Sequence, residues 1–566
     1  MRTLIEDAPV SRWIGPALLV AAALPGGCAH RPPEITTGTP VPGAIGTVVS
    51  LDQGWTAEEQ ELFWFTSQGS RIVPYAWFLA LEQARSEAPF ASDQNIDRYR
   101  WLASRPTRHN PDGLPVGFVK DVDERSGESW VGVTCAACHT GQLRYRGVGI
   151  RIDGGPTLAD AESFFFDLAA ALTATQREDA KFQRFARAVQ GGGGDPSGAA
   201  ELRAKLEAVT GDIVARNRRN RPTPGAGMPG YARLDAFGNI FNEVAGHDLG
   251  VADNVKPPDA PVSYPSLWDT PQMDRVQWNG IAHNGGIGPL ARNIGEALGA
   301  FARVNIQPER GLEGYESSVR VENMGLLEKW LDTLWSPQWP EKFLTAINAS
   351  KAARGRGHYD RHCVSCHALL DRTNPSRRIQ VVLVPISETK TDPGMATGAL
   401  RQVATGRLKD RPSLVVLGTR FGDSALAADI LGNAVAGTII GQPVPAFEAA
   451  LEEYMAIRTV STVPTPVYRA RPLNGVWATA PYLHNGSVPN LWSLLQRPEE
   501  RPVEFHVGNR EYDPVHVGYQ TTPDADGVSS VFDTRRPGNA NTGHAWGTTE
   551  LSDEEKWELV EFLKSL

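Results

Sequence analysis

Two short motifs constrain this chain more than anything else in it. "GVTCAACHTGQ" at residues 132–142 and "RHCVSCHAL" at residues 361–369 each place a histidine directly after two cysteines three positions apart. The chain has five cysteines, so four of them are used in this way. Within one helical turn, residues i and i+3 face the same side. Two thiols at that spacing reach the two vinyl groups of one porphyrin, and the next imidazole turns toward its iron. Chance supplies one such motif in a chain of this composition with odds of roughly one in a thousand, and two far more rarely. Zinc sites and redox disulfides also use paired cysteines, but neither accounts for the histidine after each pair. The motifs therefore predict two covalently attached c-type haems, held by Cys135, Cys138 and His139 and by Cys363, Cys366 and His367, with the two histidines as proximal iron ligands.

Such haems are attached outside the bacterial cytoplasm, and the start of the chain agrees. Arg2 and Arg12 precede an apolar run from Trp13 to Leu24, too short to span a bilayer and placed where a secretory signal has its apolar core. The run ends in "ALPGGCAH", where Cys28 follows two glycines as in a bacterial lipobox, although Pro25 stands where that pattern wants an aliphatic residue. A lipid anchor on Cys28, an ordinary signal cut nearby and an uncut tail are the three alternatives the segment leaves. The expected location is periplasmic or secreted, with any membrane contact made through lipid alone. The net charge of -9, without a long basic run, argues against a nucleic-acid partner, which needs clustered Lys and Arg to neutralise phosphates.

At 566 residues the chain is too long for one ordinary core. The expected order is a leader over 1–28, a Pro- and Gly-rich tether over 29–50, an N-terminal haem domain over 51–335 with an insertion at about 176–260, and a C-terminal cytochrome c-like domain over 336–566. The punctuated stretch "WSPQWPEKF" marks the boundary. Helical spacing recurs in "TLADAESFFFDLAAALTAT", "PLARNIGEALGAFARV" and "LSDEEKWELVEFLKSL", and strand-like alternation is scarce, so the fold class is mainly α with long ordered loops. Ser552 and Glu555 form a capping box at the last helix. Gly355, Tyr359 and Cys363 line one helix face, which fits a glycine crossing between the first and last helices of a cytochrome, with Trp557 as the aromatic partner.

The sixth iron positions decide function, because an iron with both axial sites filled moves electrons and one with an open site binds small oxidants. His544 in "RPGNANTGHAWGT" and His484 in "ATAPYLHNGSVPNL" lie in Gly-containing loops that permit close approach to a porphyrin face. His544 is the preferred ligand of the second haem, with Met395, Met455 and His484 behind it. In "DRVQWNGIAHNGGIGPLARNIGEALGAF", Trp278 is a candidate electron relay between haems, His283 a candidate to approach the first iron, and Glu296 a candidate distal acid or base. Each has an ordinary alternative: a core tryptophan, a loop histidine, and an exposed partner of Arg292.

With these residues in view, the chain resembles the dihaem cytochrome c peroxidase and MauG superfamily. The resemblance rests on two haem motifs in separate halves, on "VQWNG" and on "TAPYLHNGSVPNL". The length and the runs "WVGVTCAACHTG", "RIDGGPTLADAESF", "YRARPLNGVWATAPYLHNGS" and "GNANTGHAWGT" look most like its rubber oxygenase branch, which includes related fatty-acid oxygenases. It implies an N-terminal haem on His139 with an open distal side and a C-terminal haem with two protein ligands. Trp278 would correspond to the inter-haem tryptophan, Glu296 to the distal glutamate, and Phe301 to the distal phenylalanine of the oxygenase branch. The chain departs from the peroxidase pattern in having about a hundred additional residues before Trp278, and in lacking a methionine in "SLLQRPEE", where peroxidases take the second haem's ligand.

Three functions follow as expectations. One is an oxygenase that activates dioxygen and attacks an unsaturated apolar substrate such as polyisoprene or a fatty acid. The second is a peroxidase that reduces hydrogen peroxide, with a small electron-donor protein as partner and a proton donor such as Glu296 or His283. The third is a non-enzymatic electron carrier with both irons fully ligated.

Overall fold

The Ser552 hydroxyl accepts from the Glu555 amide and the Glu555 carboxylate accepts from the Ser552 amide, closing a capping box at the head of the helix Asp553–Lys564. This helix lies across Ala349–His362 in a computed structural model that describes residues 47–191, 196–452 and 466–566. The leader, Cys28, the tether up to residue 46 and Met455 fall outside the described residues. At the crossing, a Cβ on Gly355 would stand 2.0 Å from the Glu558 carbonyl oxygen, so only glycine lets the two backbones approach this closely. Tyr359, one turn on, meets Phe562 with ring centres 5.1 Å apart. Trp557, expected in that place, instead stacks on Trp492 at 4.0 Å; the last helix presents Phe562 to the crossing and turns Trp557 away from it.

Among the described residues the fold is mixed rather than mainly α, with 39% helix and 16% strand. The strands leave little alternation in the sequence because most are two to six residues long. Two three-stranded sheets frame the first motif. In one, Thr140–Tyr145 pairs antiparallel with Val148–Asp153, which pairs in parallel with Val48–Ser50. In the other, Ser129–Val133 lies between Phe118–Val122 and Val73–Pro74. The strand Ser129–Val133 therefore runs straight into the first motif, and Thr140–Tyr145 leaves it.

The helix Ala161–Arg177 packs against Asp179–Gln190 and Pro196–Arg219 over an aromatic cluster in which Phe164 touches Phe90, Tyr99, Trp101 and Phe118. The region 176–260 then returns through Ala236–Phe241 into a π-helical turn, Asn242–Asp248, a form common beside functional sites. A continuous apolar interior joins the two halves of the chain: Phe63, Trp268 and Leu331 share it with Tyr359, Trp477 and Leu559. Among the described residues, no single helix is long and apolar enough to cross a membrane.

Candidate functional site

The second motif follows the end of its helix rather than opening one. Cys363 caps Ala349–His362, its amide donating to the Tyr359 carbonyl at 2.9 Å, and the His367 amide donates to the Cys363 carbonyl at 2.9 Å. The Tyr359 hydroxyl donates to the His367 carbonyl at 2.6 Å, fixing that backbone. On the ring, Nδ1 lies 2.6 Å from the Arg471 carbonyl oxygen. A carbonyl only accepts, so Nδ1 carries the proton and Nε2 is left bare, the tautomer a metal-binding imidazole needs. Burial holds the pKa of His367 below its ordinary value, which favours the neutral ring.

Opposite this ring stands His544. The chain enters through Gly543 and His544 with φ of +71° and +47°, and the His544 amide donates to the Thr389 carbonyl at 2.8 Å. A non-glycine residue in the left-handed region is held there by its surroundings: Arg501 donates to the His544 carbonyl at 3.0 Å. The ring centres of His367 and His544 are 6.2 Å apart. Two imidazoles on one metal, each bonded at about 2 Å, have ring centres about 6 Å apart, so the pair fits an axially ligated iron. Both line a cavity with about 1620 Å³ of empty space, walled mostly by apolar atoms, that also receives Cys363 and Cys366.

His484 lies in the wall of the same cavity but is otherwise engaged, which removes it as an iron ligand. Its ring stacks on Tyr468 at 4.1 Å. The Tyr468 hydroxyl donates to the Asp392 carbonyl at 2.6 Å, so the 2.9 Å contact with His484 Nε2 takes its proton from the histidine. Met395 lines the other cavity instead, packed against Trp278 and Tyr468.

The first motif forms the short helical turn Cys135–Cys138, with the Thr134 hydroxyl accepting from the Ala136 amide and donating to the Trp64 carbonyl. His139 Nδ1 donates to the Pro265 carbonyl at 2.8 Å, and burial lowers its pKa to about 4, so Nε2 is again bare. Burial pushes both thiols up to about 12. The two cysteine pairs line different cavities and do not converge on one ion.

The cavity around His139 has about 1520 Å³ of empty space, and among the described residues no other histidine lines it. Phe165, Phe237, Ile240 and Phe301 supply an apolar wall, several of them from the region 176–260 or its flanks. Phe301 has φ of +69°, packs 4.6 Å from Phe165, and lies under the Arg216 guanidinium at 3.7 Å. Glu296, on the helix Gly288–Gly299, also faces this cavity and accepts a hydrogen bond from Gln277. Burial raises its pKa, partly opposed by Arg292. It is not an exposed partner of Arg292, which reaches Glu328 and Asn284 instead. His283 is exposed on a two-residue strand, accepts from the Gly285 amide at 3.2 Å, and lies outside the cavity, so it does not approach the first iron position.

Trp278 is common to both cavities, its indole donating to the Ser263 carbonyl at 2.8 Å. Tyr264, Arg469 and Arg471, which sequence reasoning passes over, also line the cavity walls. For the arginines a signal exists: in "VYRARP" they stand two apart beside a strand, hence on one face.

The family described as RoxA-like, cytochrome c-like matches at residues 467–506, a stretch holding Arg469, Arg471 and His484. Over its length the chain is similar to y4iJ of Sinorhizobium fredii (strain NBRC 101917 / NGR234), described as uncharacterized, at 32% identity over 92% of this chain and 94% of y4iJ. It is also similar to y4iM of the same organism, likewise described as uncharacterized, at 27% identity over 60% of this chain and 72% of y4iM.

Proposed function

Since the chain belongs to the RoxA-like cytochrome c-like family, a family of haem oxidoreductases, we propose that it is an exported dihaem oxygenase of unsaturated apolar substrates such as polyisoprene or a fatty acid. In this reading Cys135, Cys138 and His139 hold one covalent porphyrin, and Cys363, Cys366, His367 and His544 hold the other. When bound, an iron porphyrin with a free axial position supplies activation of dioxygen or peroxide, and one with both positions filled supplies electron transfer.

The observation that carries the reading is an asymmetry. His544 faces His367 across the second cavity, whereas Phe165, Phe237, Ile240 and Phe301 wall the cavity of His139. These side chains offer an apolar chain a contact surface in that cavity, beside the polar groups of Glu296 and Arg216. The Pro265 carbonyl holds the His139 ring in one orientation, and Trp278, which lines both cavities, would serve as the relay between them. The test is incubation of the purified protein with polyisoprene or an unsaturated fatty acid under isotopically labelled dioxygen. Label in the product supports the oxygenase; peroxide consumption with no labelled product overturns it.

A second reading, hydrogen peroxide reduction, is favoured by Glu296. Burial raises its pKa, which favours the protonated form of a carboxyl that faces the first cavity, and cleavage of the peroxide bond calls for such a donor. Glu296→Gln would then abolish peroxide turnover, whereas oxygenation would survive the substitution.

A further inference from the structure

The walls of the two cavities meet in Ser263, Tyr264, Pro265, Ser266, Trp278 and Arg469, and Arg469 is the one charged side chain among them. It lies on the strand Val467–Ala470, is 7% exposed, and is tied to the relay position by its own amide, which donates to the Trp278 carbonyl at 2.8 Å. Its Nη1 donates to Met273 Sδ at 2.8 Å and to the Arg275 carbonyl at 3.2 Å, and its Nε has no partner. Arg471, two residues on, lines the second cavity and donates to the Ser266 and Trp268 carbonyls at 2.8 and 3.1 Å.

Neither guanidinium forms an ion pair with a carboxylate among the described residues. Buried cations held only by neutral acceptors are unstable unless an anion joins them. Burial, reinforced by Arg471, draws the pKa of Arg469 down to about 9. Donors of this kind match carboxylates, which a guanidinium binds through parallel N–H groups.

We propose that Arg469 receives porphyrin carboxylates from both cavities, one guanidinium thereby setting the charge environment of two irons, while Arg471 serves the second cavity alone. This rests on the dihaem reading above. An oxidised iron carries one positive charge more than a reduced one, so removing a nearby cation favours oxidation and lowers the midpoint potential.

The test is spectroelectrochemical titration of the holoprotein without substrate, after mass spectrometry has counted its porphyrins. Arg469→Gln is expected to lower both midpoint potentials and Arg471→Gln only that of the second haem. Arg469→Lys, which keeps the charge but loses the paired donors, should lower both by less, and it decides the matter if Arg469→Gln fails to retain both porphyrins. Unchanged potentials in the decisive Arg469 variant, or a shift confined to one haem, would overturn the shared role. When the titration is repeated with an unsaturated fatty acid added, a change that appears only in that arm assigns the guanidinium to substrate and overturns the shared role as well. Fewer than two porphyrins in the unaltered protein would instead overturn the dihaem reading.

Discussion

The rings of His367 and His544 face one another with centres 6.2 Å apart and planes inclined at 51°. They come from chain segments far apart in sequence, each fixed by its own backbone hydrogen bonds, so the spacing belongs to the fold and not to a local turn. His544→Ala is expected to convert the second haem from low spin to high spin, read by electron paramagnetic resonance of the oxidised protein. His484→Ala should leave that signal unchanged, because His484 is bonded to Tyr468.

The two cysteine pairs line separate cavities, so on the dihaem reading each would attach its own porphyrin. Replacing Cys135 and Cys138 together with serine should leave a denatured protein carrying one porphyrin by mass instead of two. A variant that keeps two would show that the first motif does not attach one.

Two glycines on one helix should respond in opposite directions. Gly355→Ala drives a Cβ to 2.0 Å from the Glu558 carbonyl oxygen and should cost ~1–3 kcal/mol through overpacking. A Cβ on Gly357 would meet nothing within 4 Å, and Gly357→Ala should stabilise by ~1 kcal/mol through helix propensity. Denaturant titration of the two variants checks both signs.

Glu162 is buried, and its pKa rises to about 8, chiefly through desolvation and then through Asp160. The folded protein thus binds this proton more tightly than the unfolded chain does. The resulting stabilisation is fully present below the ordinary carboxyl value of 4.5 and is lost as pH rises through about 8. Glu162→Gln should flatten the fall in melting temperature across that window. An equally steep fall in the variant would show that Glu162 is not its source.

The paired cysteines and the glycine crossing are legible in the sequence because each is set by spacing within a few residues: three for the thiols, four for Gly355 and Tyr359. The capping box at Ser552 is legible for the same reason. Which aromatic meets Tyr359 is not, since Trp557 and Phe562 share a helix and its rotation is set by packing against Trp492. Likewise His484 and His544 sit in similar loops. The deciding fact, that Tyr468 occupies the His484 ring, is a contact between elements that no local pattern encodes. His283 follows "VQWNG" closely in sequence, yet the Arg275–Val276 and Ala282–His283 pairing turns it outward. The i,i+4 spacing of Arg292 and Glu296 does not reveal that Arg292 also binds Glu328 on another helix.

Whether one iron position is open while the other is closed can be read by carbon monoxide titration of the fully reduced protein, since carbon monoxide takes only a vacant axial site on ferrous iron. With His544 closing the second position, saturation is expected at one carbon monoxide for every two irons, the absorption change being confined to the haem on His139. Saturation at two, or no binding at all, would contradict the asymmetry.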